Sequence, residues 1–229
     1  PALVFRREDK LERTLSYKDL FSLVAQTSSA LKSAGVNSGD RVAGFIPNIP
    51  EAVIAMLAAA SIGAVWSSSS PDFGIKGVLD RFSQIEPKVL FASDGYYYNG
   101  KRFDSLKKLK GILKQLPSVE KVVIIPYTNK SPDISSLSNA VLYDELISGG
   151  NASTIEFNQL PFDHPLYIMY SSGTTGLPKS IVHSAGGTLI QHMKELCLHT
   201  NLTRKDTIFY FTTCGWMMWN WLVSSLAVG

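Results

Sequence analysis

Residues 166–179 of this chain read Leu-Tyr-Ile-Met-Tyr-Ser-Ser-Gly-Thr-Thr-Gly-Leu-Pro-Lys. A strand-like apolar run passes into hydroxyl residues, two glycines and a lysine. Gly173 and Gly176 free the backbone to turn N–H groups inward. Ser171, Ser172, Thr174 and Thr175 add hydroxyl donors, and Lys179 adds a positive charge at the rim. Convergent N–H and O–H donors beside a cation are what a loop needs to wrap phosphate oxygens. A plain glycine-rich turn needs only the glycines; the hydroxyls and the lysine favour phosphate binding.

Gly173, Lys179 and Ser180 share the spacing of a Walker A loop, Gly-x4-Gly-Lys-Ser/Thr. Pro178, however, holds the place of the second glycine. Proline has no N–H to offer a phosphate and a fixed φ. Ile181-Val182 then predicts a strand where a Walker loop opens a helix, so a P-loop nucleotidase is excluded.

Other chemistries find little support. Cys197 and Cys214 form no CxxC pair, which fits a reduced compartment and gives no disulfide or zinc framework. His192 and His199 could share a helix face, but no further ligand type joins them, and no metal site is assigned. A net charge of +3 is too small for a nucleic-acid binder. The longest apolar run, 52–66, falls short of the roughly 20 residues of a membrane span. The expected partners are small molecules, with neither nucleic acid nor membrane, and the expected location is the cytosol. Position 1 is proline, so the chain is expected to begin inside a longer reading frame.

The elements that must position the loop alternate between helix and strand. Ser16 is a helix N-cap, and Tyr17, Leu20, Phe21, Val24 and Leu31 form one face of a helix that stops at Gly35. A strand is expected over 41–46 and another over 64–67, with a helix over 51–62 between them, capped by Asn48 and Pro50. A further helix starts at Pro71 or Asp72 and ends before Pro87. Strands over 89–92 and 122–125 flank an amphipathic helix marked by Phe103, Leu106, Leu109, Ile112, Leu113 and Leu116. Residues 128–165 read as irregular, apart from a short helix near 144–148. Strands follow at 166–170 and 181–182, then a helix from 184 to about 198 and a last strand at 208–211. Strands separated by helices mean βαβ units: an α/β fold with a mostly parallel sheet flanked by helices. Ligands of such sheets sit at the carboxyl ends of the strands. Most lysines of 101–114 lie opposite the apolar stripe and read as a solvated face.

The segment Tyr170–Lys179 resembles the phosphate loop of the adenylate-forming superfamily: acyl-CoA synthetases, luciferases and peptide-synthetase adenylation domains. Its signature, Tyr-Ser/Thr-Ser-Gly-Ser/Thr-Thr-Gly-x-Pro-Lys, is met at every position, and the resemblance extends from the Ser16 helix to Gly229. Ser184-Ala-Gly-Gly187 after His183 looks like the His-x-x-Gly-Gly segment of the short-chain acyl-CoA synthetases. Cys214-Gly-Trp-Met-Met-Trp-Asn220 looks like their Gly-Trp segment. With Trp66–Phe73, these stretches look most like the acetoacetyl-CoA synthetases, with the acetyl-CoA synthetases as nearest relatives.

The resemblance implies the following. A carboxylate attacks the α-phosphate of ATP, giving an acyl-adenylate and pyrophosphate, and the thiol of coenzyme A then attacks the acyl group. Ser171–Lys179 would hold the β- and γ-phosphates, bridged by Mg²⁺. Trp216, Met217 and Met218 would wall the acyl pocket, with Asn220 as a donor to a keto oxygen or, alternatively, a cap of the following helix. Trp221 reads as core, and His183 as structural rather than a base. Lys101 falls where relatives grip the nucleotide end of CoA, although the surrounding arginines of that segment are not reproduced. No catalytic residue is expected within 1–229, which would be an incomplete N-terminal adenylation domain lacking the C-terminal domain. Taken alone, these residues are expected neither to adenylate an acid nor to form a stable monomer. An acetyl-CoA synthetase-like enzyme, a carrier-loading adenylation domain and a non-catalytic truncated product are the alternatives.

Overall fold

In a computed structural model, residues 1–149, 152–171 and 176–229 are described. The centre is a seven-stranded sheet built from β3 (Arg41–Phe45), β4 (Val65–Ser69), β5 (Val89–Ser93), β8 (Lys121–Ile125), β9 (Ala140–Leu142), β10 (Pro165–Tyr170) and β11 (Ser180–Ser184). Their order is β11-β10-β4-β3-β5-β8-β9. Every neighbouring pair is parallel except β10 and β11.

Strands β4 and β5 are buried along their whole length because both faces of the sheet are covered. The period of two divides them between two cores. Val42, Trp66, Phe91, Val123 and Tyr167 point to one side, where α1 (Tyr17–Ser33) and α2 (Pro50–Ser61) pack. Ala43, Phe45, Val65, Leu90, Val122 and Ile168 point to the other, against α3 (Ile75–Phe82) and α4 (Leu106–Leu113). The expected α/β architecture is therefore the observed one.

Helix α1 starts as its sequence predicts. Ser16 accepts a hydrogen bond from the Asp19 N–H, and the Asp19 carboxylate accepts one from the Ser16 N–H, forming a capping box. Ser16→Ala is expected to cost about 1 kcal/mol, read as a lowered midpoint in thermal unfolding. Its buried face carries Leu20, Val24 and Leu31. Tyr17 and Phe21, expected on that face, are exposed.

Several elements depart from the sequence expectation. Residues 208–211 form no strand: no described strand lies alongside to pair with them, and Phe209 and Phe211 are 82% and 87% exposed. Asn48 caps nothing; its Oδ1 accepts a 2.8 Å hydrogen bond from the Trp219 indole N–H, while Pro50 opens α2 at its first position. Helix α3 begins at Ile75 rather than at 71–72, behind Gly74 as N-cap. Phe103 lies outside α4, in a hairpin of β6 (Gly95–Tyr98) and β7 (Lys101–Asp104). The turn of that hairpin is Asn99-Gly100, both at positive φ (52° and 71°), the geometry Asn-Gly favours between strands. A second hairpin, β1 (Leu3–Arg6) with β2 (Glu12–Leu15), and strand β9 were not expected either. A short helix α5 (Tyr143–Ser148) follows β9. After β11, α6 (Ala185–Met193) continues as a wider π-helical turn, Lys194–His199. Helix α7 (Met217–Ser224) lies near the end of the described chain. Among the described residues, no helix is long and apolar enough to cross a membrane.

Candidate functional site

The phosphate-loop candidate leaves the carboxyl end of β10 and returns as β11. Residues Ser172, Gly173, Thr174 and Thr175 lie outside the described residues. Its two stems are held to each other. The Ser171 N–H donates to the Lys179 carbonyl at 3.0 Å, and the Lys179 N–H donates to Ser171 Oγ at 3.2 Å. Gly176 sits at φ +107°, where a side chain would be strained, although nothing within 4 Å would block one. Its glycine is thus required by the turn and not by crowding. Lys179 and Gly176 are exposed.

Two neighbouring elements brace the loop. Gln84, just after α3, donates through Nε2 to the Pro178 carbonyl (2.8 Å) and accepts from Ser180 Oγ (2.9 Å). Arg81, on α3, stacks over the rings of Phe73 and Tyr170 at 4.6 Å and 5.7 Å. Burial pushes the Tyr170 hydroxyl up to about 12, so it stays protonated at neutral pH.

The serine run at the end of β4 proves to be structural stitching. Ser67 Oγ donates to the Ile168 carbonyl (2.9 Å), tying β4 to β10, and Ser68 Oγ donates to the Cys214 carbonyl (2.7 Å). The segment Cys214–Trp216 is thereby held at the carboxyl end of β4, beside β10. Cys214 itself is fully buried, and burial pushes its thiol well above the ordinary range, so it is no nucleophile.

Of the expected acyl-pocket residues, Trp216 is 64% exposed, Met217 lies near the surface and Met218 is half-buried. Met217 lines a cavity of about 350 Å³ together with His183, Thr188, Gln191 and His192. Trp216, Met218 and Asn220 are not among its walls. Asn220 does not cap α7; it lies inside that helix, 1% exposed, with Nδ2 donating to Met169 Sδ. The core tryptophan of the segment is Trp219, fully buried, whereas Trp221 is only partly covered and meets Tyr210 edge-on.

The polar wall of this cavity has a defined hydrogen-bond order. Ser224 Oγ donates to the Asn220 carbonyl, so it accepts from His192 Nδ1–H at 2.8 Å. That leaves His192 Nε2 as an acceptor. His183 stacks on Tyr167 with ring centroids 5.0 Å apart. Neither of its ring nitrogens bonds to a described residue, unlike those of His164 and His192. Burial lowers the pKa of both His183 and His192, and the nearness of His183 lowers that of His192 further. Both are therefore neutral at pH 7.

Lys101 lies elsewhere, exposed on β7 next to the hairpin turn. The Asn99 and Gly100 N–H groups of that turn donate to the Glu8 carboxylate at 3.2 Å and 2.7 Å. A groove of about 620 Å³ between β1, residues 202–210 and α7 contains none of the expected site residues. Among the described residues, no group of three or more His, Cys, Asp or Glu could hold a metal ion.

The family model of the AMP-binding enzymes matches residues 1–229, the loop included. The chain belongs to the AMP-binding enzyme family. This member of the family is 53% identical over 234 residues to the acetoacetyl-CoA synthetase of Mus musculus. It is 52% identical to the acetoacetyl-coenzyme A synthetase of Rhizobium meliloti (strain 1021) and 42% identical to a malonamoyl-CoA synthetase of Penicillium aethiopicum. The solved acetoacetyl-CoA synthetase of Streptomyces lividans superposes with a TM-score of 0.94 at 44% identity, covering 100% of this chain and 34% of that one. The chain spans about 35% of the length of the mouse and Rhizobium relatives.

Sequence reasoning missed Gln84, Ser67, Ser68 and the histidine-lined cavity. The serine run was visible as composition, but an isolated glutamine after a helix carries no local signal.

Proposed function

We propose that the protein containing these residues is an ATP-dependent acid–CoA ligase, that its acid is acetoacetate, and that 1–229 form part of its N-terminal adenylation domain. The observation carrying this reading is the sequence Tyr170–Lys179, rich in hydroxyls and glycines, closed at its stem by Ser171 and Lys179 and ending in an exposed lysine. The names of the relatives support the choice of acid.

In this reading, the acid's carboxylate oxygen bonds to the α-phosphorus of ATP and the bond to the pyrophosphate oxygen breaks. In a second step, the sulfur of coenzyme A bonds to the acyl carbon and AMP leaves with the electron pair of the C–O bond. Both steps need orientation and charge neutralisation rather than a protein nucleophile. Ser171, Ser172, Gly173, Thr174, Thr175, Gly176 and Lys179 hold the β- and γ-phosphates as negative charge builds on pyrophosphate. Mg²⁺ would add charge neutralisation at the nucleotide; among the described residues, no group of three or more His, Cys, Asp or Glu could hold it. Lys101 remains a proposal for the nucleotide end of CoA, as an exposed cation on a rigid hairpin.

For the acid, the cavity beside Met217 is the better-supported pocket, walled by His183, Thr188, Gln191 and His192 and not by Trp216 or Met218. Acetoacetate differs from butyrate by one keto oxygen, which needs a donor. Asn220 is 1% exposed and outside the walls of this cavity, and His192 presents an acceptor. The neutral ring of His183, with no described hydrogen-bond partner, is the donor we assign. His183→Phe in the full-length enzyme is expected to lower kcat/KM for acetoacetate roughly tenfold, the scale of one hydrogen bond. Butyrate should be left nearly unchanged. Equal losses on both acids would remove His183 from acid selection. Acid-dependent ATP–pyrophosphate exchange across a panel of acids tests the reading itself: acetate or an amino acid as the preferred substrate would overturn acetoacetate.

A further inference from the structure

We infer that Gln84 is a positioning residue for Lys179, setting the geometry in which that lysine meets the polyphosphate. The inference rests on the reading of 171–179 as the phosphate loop.

A primary amide has two N–H donors and an oxygen acceptor. Gln84 commits all of these although the residue is solvent-exposed. Nε2 donates to the Asp80 carbonyl of α3 at 2.5 Å and to the Pro178 carbonyl at 2.8 Å. Oε1 accepts from Ser180 Oγ at 2.9 Å. The first bond fixes the amide on the end of α3. The other two reach the residues immediately before and after Lys179.

Lys179 is therefore gripped on three sides. Its own N–H and carbonyl are bonded to Ser171, across the loop stem. On its two flanks, the Pro178 carbonyl and the Ser180 hydroxyl are bonded to Gln84. Proline at 178 has no N–H of its own, so its carbonyl is the group through which that position can be held. A flexible lysine gains a defined origin for its side chain, and with it a smaller ordering cost when phosphate binds. Helix α3 is itself anchored by Val78 and Phe82, both fully buried in the sheet's second core, so the restraint is referred to the rigid part of the fold.

The geometry discriminates among substitutions. Gln84→Met keeps the length of the side chain and removes all three bonds. Gln84→Glu keeps the acceptor for Ser180 but sets an anionic oxygen against the Pro178 carbonyl. Ser180→Ala removes one bond alone. In the full-length enzyme, we expect Gln84→Met to raise KM for ATP about tenfold in acetoacetate-dependent ATP–pyrophosphate exchange. KM for acetoacetate and the thermal midpoint should change little. Gln84→Glu should be worse than Gln84→Met, and Ser180→Ala milder. The Ser180→Ala effect should vanish in the Gln84→Met background, because the two residues share that bond. A KM for ATP within twofold of the parent in Gln84→Met, or equal changes in KM for ATP and acid, would overturn the inference while leaving the enzyme reading intact. Absence of acid-dependent exchange in the parent would overturn both.

Discussion

Lys179→Ala in the full-length enzyme is expected to slow acid-dependent ATP–pyrophosphate exchange about 10²-fold, the scale of one removed electrostatic contact to a developing charge. The lysine is exposed, so its removal opens no cavity, and no described residue bonds to its ammonium. Its backbone contacts to Ser171 are unaffected by truncating the side chain. Thermal unfolding should accordingly be unchanged within about 0.5 kcal/mol. Lys179→Arg should recover part of the activity. It restores the charge but replaces a compact ammonium with a planar fork of different reach. Full exchange activity in Lys179→Ala would remove the loop from phosphate binding and with it the central assignment.

The second large effect is on stability. Trp66→Ala is expected to cost about 3–5 kcal/mol, the range for truncating a buried aromatic. Trp66 is 1% exposed in the middle of β4, with Phe91 tilted against it at 6.5 Å between ring centroids. Its ring edge lies against Gly44 on the adjacent strand β3: a Cβ on Gly44 would come within 2.9 Å of Cζ2 and Cη2. Gly44 and Trp66 thus form a small–large pair, and Gly44→Ala should also destabilise, by overpacking, at about 1–3 kcal/mol. Trp66→Phe should cost far less than Trp66→Ala, because most of the volume is kept. A domain has only about 5–15 kcal/mol in hand, so Trp66→Ala should be visible as a large drop in the denaturant midpoint. A loss below about 1 kcal/mol would mean that the site collapses around the missing indole.

Trp66 also joins stability to the site. Immediately beyond it, Ser67 and Ser68 hold β10 and the Cys214–Trp216 segment. A shift of β4 would therefore displace both the loop stem and the proposed acid pocket.

What the sequence determined by itself was short-range. The hydroxyl and glycine run with its lysine is contiguous, so its chemistry is legible without coordinates. The Ser16 cap, the proline start of α2 and the alternation of helix with strand depend on residues within a few positions of one another. These elements were read close to where they form. The 99–100 turn was equally local; its Asn-Gly signal was present but was read as part of a nucleotide-gripping segment.

What only the tertiary structure decided depends on pairs remote in sequence. Gln84 meets Pro178 and Ser180 across 94 and 96 positions, and Trp219 meets Asn48 across 171. No local pattern encodes such a pairing, because the hydrogen bond exists only once both elements dock on the same sheet. The stretch 208–211 shows the converse. Its Ile-Phe-Tyr-Phe composition suits a strand, but a strand is stabilised by its neighbour, and no described strand pairs with this one. Within 214–221, composition could not tell which tryptophan faces the core. The turn of α7 decides it, burying Trp219 and Asn220 and leaving Trp216 exposed and Trp221 partly covered. The loop's chemistry was thus written locally, and its support and the orientation of the acid pocket followed from how helices α3, α6 and α7 pack around it.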